Sequence, residues 1–117
     1  MLVAEQLSMK PITALLADDN RVVRGEFRKI LELEDDLEVV GEAKSGLEAV
    51  ALVKKLRPAL VLMDVAMPLL NGLQAARQIL KATPATKVLM LSAHSDDAYV
   101  EEATNSGAMG YLLNYGF

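Results

Sequence analysis

The sequence has no cysteine and no tryptophan, a single histidine, and only 4% aromatic residues. Without cysteine there is no disulfide framework, thiol nucleophile or thiolate-bound zinc, and the lone His94 excludes a multi-histidine metal centre. So few aromatic rings leave no stacking platform for single-stranded nucleic acid. Positive charge is also short: 12 basic against 16 acidic residues give a formal charge of -4. That balance excludes a domain that grips a phosphate backbone through bulk electrostatics. No apolar run approaches the roughly 18 residues needed to cross a bilayer, and Glu5 interrupts the start of the chain. The expected setting is reducing and cytoplasmic, with no membrane partner.

What is present is a chain of 117 residues, 52% hydrophobic, the size and apolarity of one folded domain. Leu, Val, Ile, Ala and Met must build its core. Residues 1–11 show no period and end at Pro11, so they are expected to form an N-terminal extension, with the ordered domain over 12–117. From Ile12 onward, short apolar runs alternate with segments of helical period, the pattern of repeated βα units and a parallel sheet. Strands are expected at 12–17, 38–41, 59–63, 87–91 and 110–113; four of these are near-continuous apolar runs, as in strands buried on both faces.

Between the strands, Val23, Phe27, Ile30 and Leu31 share one helical face, Leu47, Val50, Ala51 and Lys54 another, and Leu73, Ala76, Ile79 and Leu80 a third. A fourth helix is expected over Tyr99, Val100 and Ala103, capped at Ser95 or Asp96. Five strands against four helices imply that the final helix is missing. Its absence would leave a sheet face to be covered by a second copy in a homodimer, a swapped segment or the N-terminal extension.

In open parallel sheets ligands gather beyond the carboxyl ends of the strands. There the sequence places Asp18 and Asp19 after the first strand, Asp64 after the third, Ser92 after the fourth and Asn114 after the fifth. Three carboxylates at one edge repel one another unless a cation lies among them, and a hard divalent ion such as Mg2+ suits oxygen ligands. A carboxylate beside such an ion can attack a phosphoryl group. Each residue taken alone has a plainer explanation: the Asp pair as a turn or helix cap, Ser92 as the cap of the next helix, Asn114 as a turn residue. The combination is more specific than any member. The acidic run from Glu32 to Glu38 reads as a solvated helix end, since it lacks the calcium-loop pattern. Lys54, Lys55 and Arg57 read as a helix C-terminus complementing the dipole, and the methionines as core packing.

Four segments carry a family resemblance: Leu16-Ala17-Asp18-Asp19-Asn20, then Val61-Leu62-Met63-Asp64-Val65-Ala66-Met67-Pro68-Leu69-Leu70-Asn71-Gly72, then Leu89-Met90-Leu91-Ser92-Ala93-His94, then Gly107-Ala108-Met109-Gly110-Tyr111-Leu112-Leu113. Over residues 12–114 the chain resembles the receiver domain of bacterial two-component response regulators. The resemblance implies a CheY-like, flavodoxin-like α/β fold: a doubly wound, five-stranded parallel sheet in the order 2-1-3-4-5. It also implies a phosphoryl group passed to Asp64 from a sensor histidine kinase or a phosphotransfer protein. Mg2+, or Mn2+, would be held by Asp18, Asp19, Asp64 and the backbone carbonyl of Ala66. Ser92 matches the switch hydroxyl, Tyr111 the switch aromatic, and His94 a position that gates water. The start of the first helix, Arg21-Val22-Val23-Arg24, looks like that of regulators joined to a helix-turn-helix DNA-binding output domain.

The family lysine at the end of the fifth strand is replaced by Asn114, and a neutral amide binds phosphoryl oxygens more weakly than an ammonium. Two alternatives are thereby framed. A pseudo-receiver would keep the fold as an interaction module independent of phosphorylation. A haloacid-dehalogenase-type hydrolase would need an Asp two residues after the nucleophile, where this chain has Ala66.

Overall fold

The computed structural model describes residues 10–92 and 110–113, with Ser92 and the last four described by their backbone course. Five parallel strands, β1 (Ile12–Ala17), β2 (Leu37–Ala43), β3 (Leu60–Asp64), β4 (Lys87–Ser92) and β5 (Gly110–Leu113), form one sheet in the order β2-β1-β3-β4-β5. Three helices lie between them: α1 (Arg21–Glu32), α2 (Gly46–Leu56) and α3 (Gly72–Ala82). The expected fourth helix, the N-terminal extension up to residue 9 and the expected absence of a final helix fall outside the described residues.

Period-2 alternation divides the core in two. Leu15, Ala17, Val61, Met63, Val88 and Met90 face α2 and α3. Leu16, Leu62 and Leu91 face the opposite side, where Phe27 and Leu31 of α1 pack on them. Strands loaded with apolar side chains on both faces need helices on both faces, and the parallel βαβ crossovers supply them.

The bounds of three strands differ from the sequence expectation, β3 starting at Leu60 rather than Ala59. Strand β2 runs from Leu37 to Ala43, longer than 38–41, and carries a bulge: Ala14 pairs with Val39 but Leu15 with Gly41, leaving Val40 as an extra residue. Asp64 and Ser92 are the closing residues of β3 and β4 rather than the first residues beyond them. A polar residue at the end of a central strand still completes the ladder through its backbone, which side-chain hydropathy does not report.

The helical period of α2 is as expected, but its phase is not. Its buried residues are Gly46, Ala49, Val50 and Val53, whereas Leu47 is 54% exposed, and Ala51 and Lys54 face solvent. Gly46 turns inward because the β3–α3 loop lies on it: a β-carbon there would fall on the carbonyl oxygen of Leu70. In α1, Val23, Phe27 and Leu31 are half-buried and Ile30 is exposed; the one buried residue is Arg24. The face expected for α3 is buried through Leu73, Ala76 and Ile79, with Leu80 packed at its margin.

Candidate functional site

Ala17 pairs with Met63 across β1 and β3, so the next residues, Asp18 and Asp64, stand level at the carboxyl edge of the sheet. Here the connections after β1 and β3 diverge, β1 leading outward to β2 and β3 across to β4. That divergence opens a crevice which loop residues can line. Carboxylate oxygens of Asp18, Asp19 and Asp64 all lie within 4.8 Å of one another. Asp64 pairs with Leu91 of β4, which places the backbone of Ser92 one step further along the same edge.

The local chain is fixed by hydrogen bonds. The Asp18 amide donates to the Ala43 carbonyl at 3.0 Å, and the Asn20 amide donates to Asp18 Oδ1 at 2.8 Å. Helix α1 is capped by Asn20, whose Oδ1 accepts from the amides of Val22 and Val23 at 2.9 and 3.1 Å. Neither aspartate is therefore the cap, but Asp18 closes a turn through its bond from the Asn20 amide, so the turn expected of the pair is present and the cap is not. After β3, the Val65 amide donates to the Leu91 carbonyl at 3.1 Å and the Gly72 amide to the Val65 carbonyl at 2.8 Å. Helix α3 starts with a capping box, in which Asn71 Oδ1 accepts from the Gln74 amide and Gln74 Oε1 from the Asn71 amide. The Asn-Gly pair of the motif thus caps a helix and seats it against the strand end that carries Asp64.

Crowding leaves an electrostatic mark. Burial, then the neighbouring charge of Asp18, push the Asp64 carboxyl up to about 6, against the opposing hydrogen bond from the backbone of Ala66. Asp18 is also raised, first by burial and then by the charge of Asp19, against hydrogen bonding from Asn20 and the charge of Arg24. A cluster that disfavours its own ionisation has the electrostatics of a site completed by a cation. Chemically, it offers a carboxylate oxygen nucleophile beside two further hard oxygen donors.

Ala66 lies exposed in the loop that follows Asp64. Tyr111 pairs with Met90, on the far side of β4 from β3. His94 and Asn114 fall outside the described residues. Sequence reasoning missed Arg24 and Glu42: Arg24 is 8% exposed, donates through Nη1 to the Asp18 carbonyl at 2.8 Å and pairs through Nε with Glu42 Oε1 at 2.8 Å. The usable signal is spacing, since Arg24 shares a helical face with Phe27 and Leu31.

Comparison with known proteins agrees with this geometry. The family described as the response regulator receiver domain matches residues 14–114. Among curated relatives, the transcriptional regulatory protein DegU of Brevibacillus brevis is 40% identical over 109 residues, covering 93% of this chain and 46% of the relative. The response regulator protein VraR of Staphylococcus aureus is 41% identical over 102 residues, covering 87% and 49%. The chain spans about half the length of these relatives. The signal receiver domain of the putative response regulator NarL from Mycobacterium tuberculosis superposes with a TM-score of 0.88 at 33% identity, covering 92% of this chain and 87% of that one. The response regulator domain of Thermotoga maritima CheB gives 0.84 at 35% identity, covering 91% and 80%. With the motifs, the strand order and this match in agreement, the chain belongs to the receiver domains of two-component response regulators.

Proposed function

We propose that this receiver accepts a phosphoryl group on Asp64 from a phosphohistidine of a sensor kinase or phosphotransfer protein. The observation that carries the proposal is the meeting of Asp64 with Asp18 and Asp19 at the divergence of β1 and β3. A carboxylate oxygen of Asp64 forms the new P–O bond while the P–N bond to the donor imidazole breaks. The electron pair of that bond leaves with the nitrogen, which takes up a proton from solvent. In the reverse phase, water attacks phosphorus, freeing the Asp64 carboxylate and inorganic phosphate.

Three crowded carboxylates, with Asp64 raised to about 6, fit a hard divalent cation. Asp18, Asp19, Asp64 and the Ala66 carbonyl would hold Mg2+ or Mn2+, whose charge offsets the repulsion between carboxylate and phosphoryl oxygens. Ser92 would donate a hydrogen bond to a phosphoryl oxygen, with Tyr111 and His94 as residues that respond to it. Asn114 would give the phosphoryl group a neutral hydrogen bond where the family has a lysine. In a longer chain the output would be a helix-turn-helix DNA-binding domain acting in the cytoplasm. The names of the relatives as transcriptional regulators, about twice this length, support that extension.

The test is intact mass after incubation with acetyl phosphate and Mg2+, beside Asp64→Asn. One added phosphoryl group, absent from the variant, is expected. Absence of the adduct while Mg2+ still binds would favour the pseudo-receiver that Asn114 suggests. In that case a partner would bind Asp64→Asn as well as it binds the wild type.

A further inference from the structure

Arg24 is a charged side chain buried beside an acidic cluster that it does not join. Its guanidinium has two fixed engagements: Nη1 donates to the backbone carbonyl of Asp18 at 2.8 Å, and Nε donates to Glu42 Oε1 at 2.8 Å. The second carboxylate oxygen of Glu42 accepts from Arg28 Nη1 at 2.6 Å. These two arginines hold the Glu42 carboxyl below its usual range, so the acceptor stays charged and the fork stays aligned.

The bulge in β2 is what makes the contact. Before it, Val39 shares the α1 face of the sheet with Ala14 and Leu16. Were the same residues paired without a bulge, strict alternation from Val39 would send Glu42 to the opposite face, among the apolar side chains under α2. With it, Glu42 pairs with Leu16 and meets Arg24 and Arg28 of α1, while Ala43 joins the other core. A bulge that re-aims one side chain is a known use of this irregularity.

The bonds converge on a single residue, Asp18. The Asp18 amide is held by Ala43 of β2, its carboxylate by the Asn20 amide, and its carbonyl by Arg24. That carbonyl belongs to the peptide plane linking Asp18 to Asp19, so fixing it sets the direction in which both carboxylates leave the chain. On the reading of Asp18, Asp19 and Asp64 as a cation site, we infer that Arg24, braced by Glu42, is a positioning residue that pre-sets the two-aspartate half of that site.

Positioning and plain electrostatics predict opposite signs. Removing a positive charge beside the cluster should tighten cation binding if only charge matters, whereas loss of the brace should weaken it, by the ten-fold or more typical of partners that orient ligands. Calorimetric titration of this chain with MgCl2 reads the affinity directly, and the melting temperature without Mg2+ reads stability separately. Arg24→Gln is expected to weaken Mg2+ binding about ten-fold. Arg24→Lys keeps the charge but not the fork, so it should also weaken binding and serves if the first variant does not fold. Arg28→Gln removes a neighbouring charge and leaves the brace, so its affinity should stay within about two-fold. Equal or tighter binding by folded Arg24→Gln or Arg24→Lys overturns the inference, even if either melts earlier. A wild-type chain that does not bind Mg2+ overturns the cation reading itself.

Discussion

A β-carbon on Gly72 would fall on the carbonyl oxygen of Asp64. The first residue of α3 is thereby seated against the backbone that ends β3, and only a residue without a side chain fits. Because the obstructing atom is backbone, it cannot swing aside as a flexible side chain would. Gly72→Ala is expected to destabilise the fold by about 2 kcal/mol, within the range for overpacked sites, and to shift Asp64 relative to Asp18. Urea denaturation gives the first effect and acetyl-phosphate labelling the second. Wild-type values in both would refute the close approach.

The raised Asp64 carboxyl sets a pH dependence. Its ordinary value is 3.8, but in the fold it is pushed up to about 6. Between these values the folded chain holds a proton that the unfolded chain has released, so stability falls as pH rises through that window. In a metal-free buffer the melting temperature is expected to be lower at about pH 7.5 than at about pH 5.5, with a much smaller fall for Asp64→Asn. Saturating Mg2+ should restore the wild type at the higher pH by binding only the folded state. A melting temperature that climbs across the window without metal would contradict the burial of this carboxyl.

Leu69 and Leu70 both have positive φ, 60° and 135°, in a conformation that costs side-chain-bearing residues about 1 kcal/mol or more. Their burial separates them: Leu69 is 71% exposed, whereas Leu70 packs on the core. Leu69→Gly should therefore raise stability by up to about 1 kcal/mol. Leu70→Gly should lower it by about 1–2 kcal/mol through lost packing. Denaturant midpoints in the reverse order would show that the loop is not strained at Leu69.

Asn20 caps α1 by accepting two backbone hydrogen bonds at one side-chain oxygen. Asn20→Ala is expected to lose about 1 kcal/mol, and Asn20→Asp far less, since a carboxylate caps equally well and favours the helix N-terminus. Thermal denaturation of the three proteins would show whether this helix end carries that weight.

The strands were legible because a strand buried on both faces is apolar at nearly every position, and β1 and β5 were placed to the residue. The meeting of Asp18, Asp19 and Asp64 was legible from their combination, since acidic residues closing two apolar runs of one parallel sheet come to the same edge, although each alone has a plainer use. What the sequence hid follows from its lack of phase and register. The period of α2 is the same for Leu47 as for Gly46, and only the backbone lying on Gly46 decides which one is buried. Arg24 does not stand out as a site residue because hydropathy carries no information about its partners, Glu42 and the Asp18 carbonyl, which come from other parts of the chain. The bulge at Val40 leaves no compositional trace, yet it decides the face on which Glu42 stands.

Parallel pairing gives the two ends of the sheet different roles as points of attachment. The chain enters β1 at Ile12, a six-residue strand and therefore about 20 Å from the acidic edge. It leaves β5 at Leu113, whose partner is Ser92 on that same edge. A reporter joined ahead of Ile12 enters at the quiet end of the sheet, whereas anything joined after Leu113 departs beside Ser92, two strands across from Asp64.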